Sequence, residues 1–396
     1  MNGPDPAAAF RLAYIVSHPI QYQAPLLRRL AREPGLRIKA FFLTNAGAEP
    51  FFDAGFNRVL QWDIPLLEGY PYHFVARDLP LPLGFNQPAG FSWRRAFKAE
   101  RFHGVWLNGY AHGPLLRAFA AAKWAGMRVL VRGESHDGLR RAEPVWRRTA
   151  QHALFRGVDA FLAIGSANRD FYLHRGARPE RIHMAPYSVD NDYFRHRVAA
   201  ASPRRTTLLH ELGLSPSLPI VLFASKLQAR KRCADLLQAY ESIRAQAPAQ
   251  IVVVGDGPEL ARLTEYARSK RLDDVRFVGF KNQSELPAFY DLCDIFVLPS
   301  EREPWGLVVN EAMNAGKPIV ASDAVGAARD LVLDGRSGCV FPVGDIAALA
   351  SSLRLLIQDP DLRRRLGDNA RALVAEWGID ATVAGVRSAI HALSAH

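Results

Sequence analysis

Two glutamates eight residues apart are the first candidates for chemistry in this chain. Glu303 and Glu311 lie between Pro299 and Pro318, a stretch flanked by two short apolar, β-rich runs. The pattern predicts a strand, a loop, a short helix and a second strand, which is the length of a parallel strand–helix–strand unit. In parallel sheets, ligands bind at the carboxyl ends of strands. Eight residues make about two helical turns, so both carboxylates can border one crevice.

The helix start in this unit suits an anion. Backbone N–H groups after Gly306 open the predicted helix, and both their unpaired hydrogens and the helix dipole favour negative charge. Carboxylates, in turn, accept hydrogen bonds from hydroxyl groups. A sugar nucleotide carries hydroxyls and phosphates together. The spacing alone is also compatible with an arrangement that has no ligand site, in which two surface glutamates lie beside a capped helix.

Length and composition limit the classes of protein. The chain of 396 residues favours two domains, and 49% hydrophobic with 22% charged residues indicates globular folding. No apolar run approaches the ~18 residues of a membrane span. The first ten residues lack the features of a secretory signal, so a cytoplasmic location is expected. Cys233, Cys293 and Cys339 fit no metal spacing and indicate a reducing compartment.

The formal net charge of +11 favours anionic partners. No nucleic-acid-binding motif is present, so nucleic acid is not an expected partner. A helix predicted from Leu139 to Phe155 has a basic face, which predicts peripheral docking on an anionic membrane surface, the inner face of the plasma membrane. A generally basic, arginine-rich proteome also explains the charge. The basic residues are Arg140, Arg141, Arg147, Arg148 and Arg156.

The first half alternates predicted strands and helices. His18, Gln21 and Tyr22 follow the first strand, at a carboxyl end where they face a candidate site. Residues 45–92 are irregular and are interpreted as a binding or lid segment, or as a segment with strands that the pattern does not locate. The predicted strands are 11–17, 36–44, 105–108, 128–132, 160–164 and 182–185.

The second half repeats this alternation after residues 191–205, which lack periodicity and are predicted to be a linker. The fold class is therefore α/β, with two doubly wound, Rossmann-like domains facing across a cleft. The predicted domains are 1–190 and 206–377. The predicted strands are 220–224, 251–254, 275–278, 295–298 and 319–321, and later helices are 345–357, 361–376 and 381–394.

Four predicted strand ends of the second half carry residues suited to one ligand. Two lysines can neutralise a diphosphate, glycines allow close approach of the backbone, and an aromatic ring can stack on a base. Each feature alone is weak, but their convergence on one sheet edge favours a sugar-nucleotide site. The strand ends carry Lys226 with Lys231, Gly255, Phe280 with Lys281, and Glu303.

The segment from Val221 to Asp345 resembles the nucleotide-sugar domain of the retaining GT-B glycosyltransferases of family four. The matching motifs read SKLQARKR, VVGDGPE, FVGF and PSEREPWGLVVNEAMNAGKPIVASD. The first domain resembles that family only in architecture. Ser225 and Lys226 stand where the family usually has Gly and Arg, and a lysine keeps the charge but not the bidentate geometry.

The resemblance implies specific roles in donor binding. It assigns Glu303 to the hydroxyls of the donor sugar and Glu311 to those of the ribose. It assigns Lys226 and Lys231 to the leaving diphosphate, and His136 to the neighbourhood of the donor sugar. The backbone N–H groups at Gly306, Leu307 and Val308 assist at the diphosphate, with Glu303, His136 and Lys231 as the catalytic set.

The resemblance also implies the mechanism of the reaction and the position of the last helix. The family retains anomeric configuration by front-face substitution, in which a donor phosphate oxygen assists the acceptor proton, and it often returns its C-terminal helix, here 378–396, to the first domain. The expected enzyme moves a hexosyl group from a nucleoside-diphosphate sugar to a hydroxyl acceptor in polysaccharide or glycolipid synthesis. The acceptor is a glycan, a lipid-linked intermediate or a small molecule, met by His18, Gln21 and Tyr22.

No cofactor or metal is expected, because the sequence has no Asp-x-Asp turn at a strand end. Asp291 and Asp294 have the wrong spacing and lie at a helix-to-strand junction. Three alternatives stay open: a sugar-nucleotide epimerase or hydrolase, a sugar-nucleotide binder without catalysis, and a nucleic-acid binder. Nucleotide release with and without acceptors separates the first from a transferase, and salt-dependent binding to nucleic acid would mark the last.

Overall fold

The computed structural model describes residues 9–139 and 144–394, which form two compact units. The first unit contains the described parts of Met1–Phe52, Val59–Tyr187 and Ile379–His396. The second unit contains Asp53–Arg58 and Ser188–Gly378. Each unit is therefore built from segments that are distant in the sequence.

Parallel strands form the centre of the first unit. A sheet of seven strands has the order β5-β2-β1-β6-β7-β8-β9, and β3 pairs with β4 apart from it. In chain order the strands are β1 Phe10–Val16, β2 Leu36–Phe42, β3 Phe51–Asp53, β4 Arg58–Leu60, β5 Tyr72–Phe74, β6 Gly104–Asn108, β7 Arg128–Arg132, β8 Ala160–Ala163 and β9 Ile182–Met184.

The second unit has a parallel sheet of six strands in the order β12-β11-β10-β13-β14-β15. All residues of β10, β11, β13 and β14 are buried, as expected for parallel strands covered on both faces. The strands are β10 Ile220–Ala224, β11 Gln250–Val254, β12 Val275–Gly279, β13 Ile295–Leu298, β14 Ile319–Ser322 and β15 Gly338–Phe341.

Helices connect the strands in both units. The first unit contains α1 Gln23–Ala31, α2 Trp93–Glu100, α3 Gly113–Trp124, α4 Val145–Arg156, α5 Ser166–His174 and α15 Ile379–Ser394. The second contains α6 Asn191–Ala201, α7 Arg205–Glu211, α8 Cys233–Ile243, α9 Leu260–Ser269, α10 Leu286–Leu292, α11 Leu307–Asn314, α12 Ala328–Leu331, α13 Ile346–Gln358 and α14 Pro360–Ala375. None of the helices in the described ranges is long and apolar enough to cross a membrane.

The last helix, α15, packs on the sheet of the first unit. Val383, Val386 and Ala389 are buried in the same apolar cluster as residues of β1, β6 and β8. Gly385 lies against the backbone of β9, where an added Cβ would come within 2.0 Å of the carbonyl oxygen of Met184. Only a glycine allows this close approach of helix and strand.

The predicted linker at 191–205 is wrong in its secondary structure. Asp190 caps α6 by accepting a hydrogen bond from the backbone N–H of Tyr193 at 3.0 Å. Phe194 is the one buried residue of this helix and lies at a ring–ring distance of 6.4 Å from Tyr290. A helix that buries a single apolar side chain shows no hydrophobic periodicity, so the sequence pattern did not reveal it.

Two other segments are compared with the sequence predictions: residues 45–92 agree with the alternative in which strands are present, whereas the helix predicted from Leu139 begins later. Residues 45–92 contain the three short strands β3, β4 and β5. The helix predicted from Leu139 begins at Val145, after the 3₁₀ turn at Asp137–Leu139, while Arg140 and Arg141 lie outside the described residues. Pro144 is the N-cap of α4, and its non-helical backbone angles, φ of −57° and ψ of 140°, are typical of that position.

Candidate active site

Four neighbouring strands of the second unit end at one edge of the sheet. The sheet order places β12, β11, β10 and β13 side by side, all parallel. Their carboxyl ends lead to Phe280, Gly255, Lys226 and Glu303, respectively. The convergence predicted from sequence is therefore present along this edge.

Lys231 and Glu303 form a buried ion pair at this edge. The ammonium group of Lys231 donates to Oε2 of Glu303, and the residues are only 7% and 8% exposed. The hydroxyl of Ser300 donates to the same oxygen at 3.3 Å. Lys231 ends the 3₁₀ turn Ala229–Lys231 that follows β10, whereas Glu303 follows β13.

Burial and pairing act in opposite directions on Lys231. Desolvation lowers the pKa of the Lys231 ammonium below its ordinary value, and the carboxylate of Glu303 opposes that effect. A buried ammonium is costly unless it is paired and hydrogen-bonded. Glu303 therefore holds a positive charge in a place from which water is largely excluded.

The α11 helix begins beside this ion pair. Gly306 has φ of 95°, a left-handed conformation, and an added Cβ would lie 3.3 Å from Cγ of Glu303 and 3.0 Å from Cδ2 of Leu298. Glycine is the residue that accepts both this conformation and this crowding. The turn brings the first helical residues, Leu307 and Val308, next to Glu303, where their N–H groups suit an anion.

Glu311 lies deeper in the unit than Glu303. It is fully buried on α11, and the hydroxyl of Tyr290 on α10 donates to its Oε2 at 2.5 Å. A charged carboxylate in a buried position costs free energy unless it is hydrogen-bonded. Tyr290 is thus a residue that fixes the position of Glu311, and sequence analysis did not identify it.

Lys226 is paired with a residue from the first sixty of the chain. Its ammonium donates to both carboxylate oxygens of Asp53, at 2.9 and 2.8 Å. Asp53 belongs to the second unit even though it precedes Lys226 by 173 residues. The sequence pattern indicated a binding or lid segment, or unlocated strands, over 45–92, but nothing in it singled out Asp53 or indicated its partner.

The remaining strand ends carry a glycine, an aromatic ring and a lysine. An added Cβ on Gly255 would lie 1.9 Å from the carbonyl oxygen of Ser225, so the glycine allows the ends of β10 and β11 to meet. Phe280 follows β12 and makes an edge-to-face contact with Phe56 at 4.9 Å. Lys281 pairs with Glu285 at 3.4 Å.

The first unit holds the other predicted site residues. His18, Gln21 and Tyr22 are half-buried after β1, where Nδ1 of His18 shares a hydrogen bond of 2.8 Å with the hydroxyl of Ser17. His136 follows β7 and is 7% exposed. The strand order puts β6 between β1 and β7, so these loops leave the same edge of one sheet.

No group of three metal-ligating side chains is positioned to hold a metal ion in residues 9–139 and 144–394. Asp294 accepts a hydrogen bond from the backbone N–H of Ile220 at 2.8 Å. It joins β13 to β10 at the end of the sheet opposite the candidate site. The three cysteines are buried, and burial raises the pKa of each thiol, to about 11 for Cys339 and about 12 for Cys293.

Comparison with known proteins gives a family for this arrangement. The model of Glycosyl transferases group 1 matches residues 205–373. A GDP-mannose-dependent alpha-(1-6)-phosphatidylinositol monomannoside mannosyltransferase of Mycobacterium tuberculosis is 30% identical over 74% of this chain and 76% of its own length. The chain belongs to the group 1 glycosyl transferase family. The family predicted from the motifs of the second half is thereby confirmed.

Other group 1 relatives match over shorter stretches. Alpha-D-kanosaminyltransferase of Streptomyces kanamyceticus is 32% identical over 59% of this chain. N-acetyl-alpha-D-glucosaminyl L-malate synthase of Bacillus anthracis is 33% identical over 43% of it. The chain spans 60% and 44% of the lengths of these two relatives, which is less than two thirds in each case.

Solved structures agree in fold. A glycosyltransferase from Rickettsia africae ESF-5 has a TM-score of 0.77 at 14% identity, covering 97% of this chain and 99% of that one. Anabaena Alr3699/HepE in complex with UDP-glucose has a TM-score of 0.70 at 19% identity, with 98% and 100% covered. The predicted α/β, GT-B fold with two parallel Rossmann-like sheets is confirmed.

Proposed function

We propose that this member of the group 1 family is a retaining glycosyltransferase that moves a hexosyl group from a nucleoside-diphosphate sugar to a hydroxyl acceptor. The observation that carries the proposal is the buried ion pair of Lys231 and Glu303 next to the start of α11. The positive charge of Lys231 and the backbone N–H groups at the start of α11 can bind the diphosphate, and the carboxylate of Glu303 can accept hydrogen bonds from the sugar beside it.

The charge that develops on the leaving diphosphate is the main demand of this reaction. Lys231 and Lys226 supply positive charge, and the N–H groups at Gly306, Leu307 and Val308 supply dipoles. Such groups act most strongly where water is excluded, and Lys231 is 7% exposed. On this proposal the diphosphate leaves without a metal ion.

The carboxylates bind hydroxyl groups on the donor. Glu303 accepts hydrogen bonds from the sugar, which strengthen as the anomeric carbon gains positive charge. Glu311, held by Tyr290, accepts those of the ribose. Gly255, Phe280 and Lys281 complete the donor site at the ends of β11 and β12.

We assign residues of the first unit to the transferred sugar and the acceptor. His136 contacts the sugar, and His18, Gln21 and Tyr22 contact the acceptor. Several relatives carry names with small hydroxylated acceptors, among them D-inositol 3-phosphate and L-malate, and one acts on a phosphatidylinositol monomannoside. We therefore propose a small molecule, a glycan or a lipid-linked intermediate as the acceptor, in polysaccharide or glycolipid synthesis. We place this reaction on the cytoplasmic side of the membrane, and we propose that the basic face of α4 contacts the membrane surface peripherally.

A panel of nucleoside diphosphates and their sugars tests the donor side. The true donor should raise the melting temperature, because a ligand at about 100 times its Kd stabilises by ~2.7 kcal/mol. Release of nucleoside diphosphate that depends on an added acceptor, with the anomeric configuration retained, would support transfer. Release that is equally fast without any acceptor would instead indicate a hydrolase, and the absence of any stabilising nucleotide would refute the proposal.

A further inference from the structure

A segment of six residues from the first part of the chain, Asp53–Arg58, belongs to the second unit. We call it the strap. Its first residue, Asp53, ends β3 and its last residue, Arg58, begins β4, and these two strands pair with each other. The chain enters the second unit after Phe52 and leaves it before Val59. The strap contacts three of the four strand ends of the candidate active site.

The first contact is an ion pair between a carboxylate of the strap and the lysine that follows β10. Asp53 binds Lys226 through both oxygens, and Oδ1 also accepts hydrogen bonds from the backbone N–H groups of Gly55 and Phe56, at 2.7 and 3.0 Å. The Asp53 side chain is 14% exposed and that of Lys226 is 33% exposed. One carboxylate thus holds the strap in its conformation and also neutralises Lys226.

The second contact places aromatic and cationic groups on the ring after β12. Phe56 meets Phe280 edge to face at 4.9 Å, and the guanidinium of Arg58 lies 5.1 Å from the centroid of the same ring. The ammonium of Lys226 is also 4.8 Å from the ring of Phe56. Contacts between cations and aromatic rings of this kind are attractive because the ring face carries partial negative charge.

The third contact lies at the turn after β11. Arg58 reaches the carboxylate of Asp256 at 3.8 Å. An added Cβ on Gly257 would lie 2.9 Å from the carbonyl oxygen of Gly55, and one on Gly55 would lie 2.6 Å from Cδ of Lys226. Gly257 therefore allows the backbone of the strap to approach the turn after β11, and Gly55 leaves space for the Lys226 side chain.

We propose that the strap is a built-in competitor that occupies the donor site, and that a nucleoside diphosphate must displace it in order to bind. This inference rests on the proposed function. The strap offers Lys226 a carboxylate where the donor would offer a phosphate, and it offers Phe280 an aromatic ring where the donor would offer a base. An anion cannot use the Lys226 ammonium fully while Asp53 holds it, so binding and release of the strap are linked.

Equilibrium binding of nucleoside diphosphates to the full chain tests the strap. Asp53→Ala should bind UDP or GDP, whichever of the two the unaltered chain prefers, roughly three- to tenfold more tightly than the unaltered chain does, because a larger fraction of the protein is then open to ligand. Phe56→Ala should shift affinity in the same direction. Asp63→Ala removes the same charge from an exposed position of residues 45–92 outside the strap, and should leave affinity unchanged.

A combined variant tests whether Asp53 acts through Lys226. In a Lys226→Ala background, Asp53→Ala should give no further gain in affinity, since the lysine that it releases is gone. Hydrogen exchange provides a second measurement: the amides of Gly55 and Phe56, which Asp53 protects, should exchange faster when nucleoside diphosphate is added. Slower exchange on binding, or weaker binding by Asp53→Ala, would show that the strap clamps the ligand and would overturn the inference.

The two proposals fail in different ways. If the unaltered chain and Asp53→Ala both bind no nucleoside diphosphate, the proposed function fails and the strap inference falls with it. If both bind one with equal affinity, the proposed function stands and the strap inference is wrong.

Discussion

The ammonium of Lys231 is bonded to the carboxylate of Glu303, although the two were expected to serve different parts of the donor. Lys231 was assigned to the diphosphate and Glu303 to the sugar. Since both are more than nine-tenths buried, each depends on the other for a counter-charge. A change in either residue therefore affects stability and catalysis together.

The first prediction concerns Glu303→Gln. Removing one partner of a buried ion pair costs about 3–5 kcal/mol, because it leaves the other charge uncompensated. The pKa of Lys231 should fall further, since Glu303 is the group that opposes its desolvation. A lysine whose pKa is lower in the folded state makes stability rise with pH over the range up to its unfolded value. Thermal unfolding between pH 7 and pH 10 should show a steeper rise for the variant.

Turnover by the same variant should fall about 10²–10³-fold, because the lost contacts act on developing charge. Glu303→Gln combined with Lys231→Met should regain most of the stability but none of the turnover. Glu301→Gln, two residues away and half-buried, is the matched control and should change neither. Near-normal turnover by Glu303→Gln would remove Glu303 from the catalytic set.

The second prediction concerns Tyr290, which holds Glu311 by a hydrogen bond of 2.5 Å. Tyr290→Phe should weaken binding of the bare nucleoside diphosphate by about two- to thirteenfold, as expected for a loss of about 0.5–1.5 kcal/mol, and should leave kcat nearly unchanged. Glu311→Gln should have the larger effect in the same direction. Tyr266→Phe removes a hydroxyl from α9 that bonds Glu241, and is the control. A drop in kcat without a change in affinity would contradict the ribose assignment.

The third prediction concerns metal removal and the lysines. Incubation with EDTA should leave turnover essentially intact. Lys231→Ala should lower kcat about 10²–10³-fold while changing sugar-nucleotide affinity far less. Lys226→Arg should be tolerated and Lys226→Ala should not be. Loss of activity in EDTA that magnesium or manganese restores would show that an ion, and not Lys231, meets the leaving diphosphate.

The fourth prediction concerns the contact between α15 and β9. Replacing Gly by Ala inside a helix usually stabilises it by roughly 1 kcal/mol. Gly385→Ala should instead destabilise the first unit by about 1–3 kcal/mol, because the new Cβ would meet the carbonyl oxygen of Met184. Ala384→Gly on the exposed side of α15 should cost only the helix propensity. Chemical denaturation of the two variants compares them, and a more stable Gly385→Ala would contradict this packing.

The fifth prediction concerns acid sensitivity at β9. Desolvation lowers the pKa of His183 below its ordinary 6.5, and its Nδ1 shares a hydrogen bond of 2.9 Å with the hydroxyl of Ser388 on α15. The unfolded chain binds this proton more readily, so the contribution of His183 to stability is lost as pH falls below about 6.5. His183→Gln should flatten the fall in melting temperature between pH 6.5 and 5. His196→Gln, on the exposed side of α6, should not.

Much of the second unit was predicted from sequence because four of its strands, β10, β11, β13 and β14, are buried on both faces, whereas β15 was not predicted. Such strands appear in the sequence as short apolar runs. The strands Ile220–Ala224, Ile295–Leu298 and Ile319–Ser322 were each located to within a residue. Once the strands are known to be parallel and adjacent, the residues after them must share one edge. The candidate site could therefore be assembled before its geometry was known, whereas the roles of its residues stay predictions.

Other parts of the structure leave little trace in the sequence. The pairing of Asp53 with Lys226 joins positions 173 residues apart, and neither periodicity nor turn chemistry encodes such a contact. Likewise, the bond between Tyr290 and Glu311 depends on how α10 packs beside α11. The helix over Asn191–Ala201 was missed because Phe194 alone marks its buried face.

The positions at which the chain passes between its units determine what would be exchanged in a chimera of this protein with a relative. The polypeptide changes unit after Phe52, Arg58, Tyr187 and Gly378. A chimera that exchanges everything after Tyr187 would carry α15 away from the sheet on which it packs, and would leave Gly385 facing a foreign strand. An exchange of Ser188–Gly378 alone would transplant intact the sheet that we propose binds the donor, yet the recipient would still supply Asp53–Arg58. On our two proposals, the donor preference of such a chimera would come from one parent and the strap that competes with the donor would come from the other.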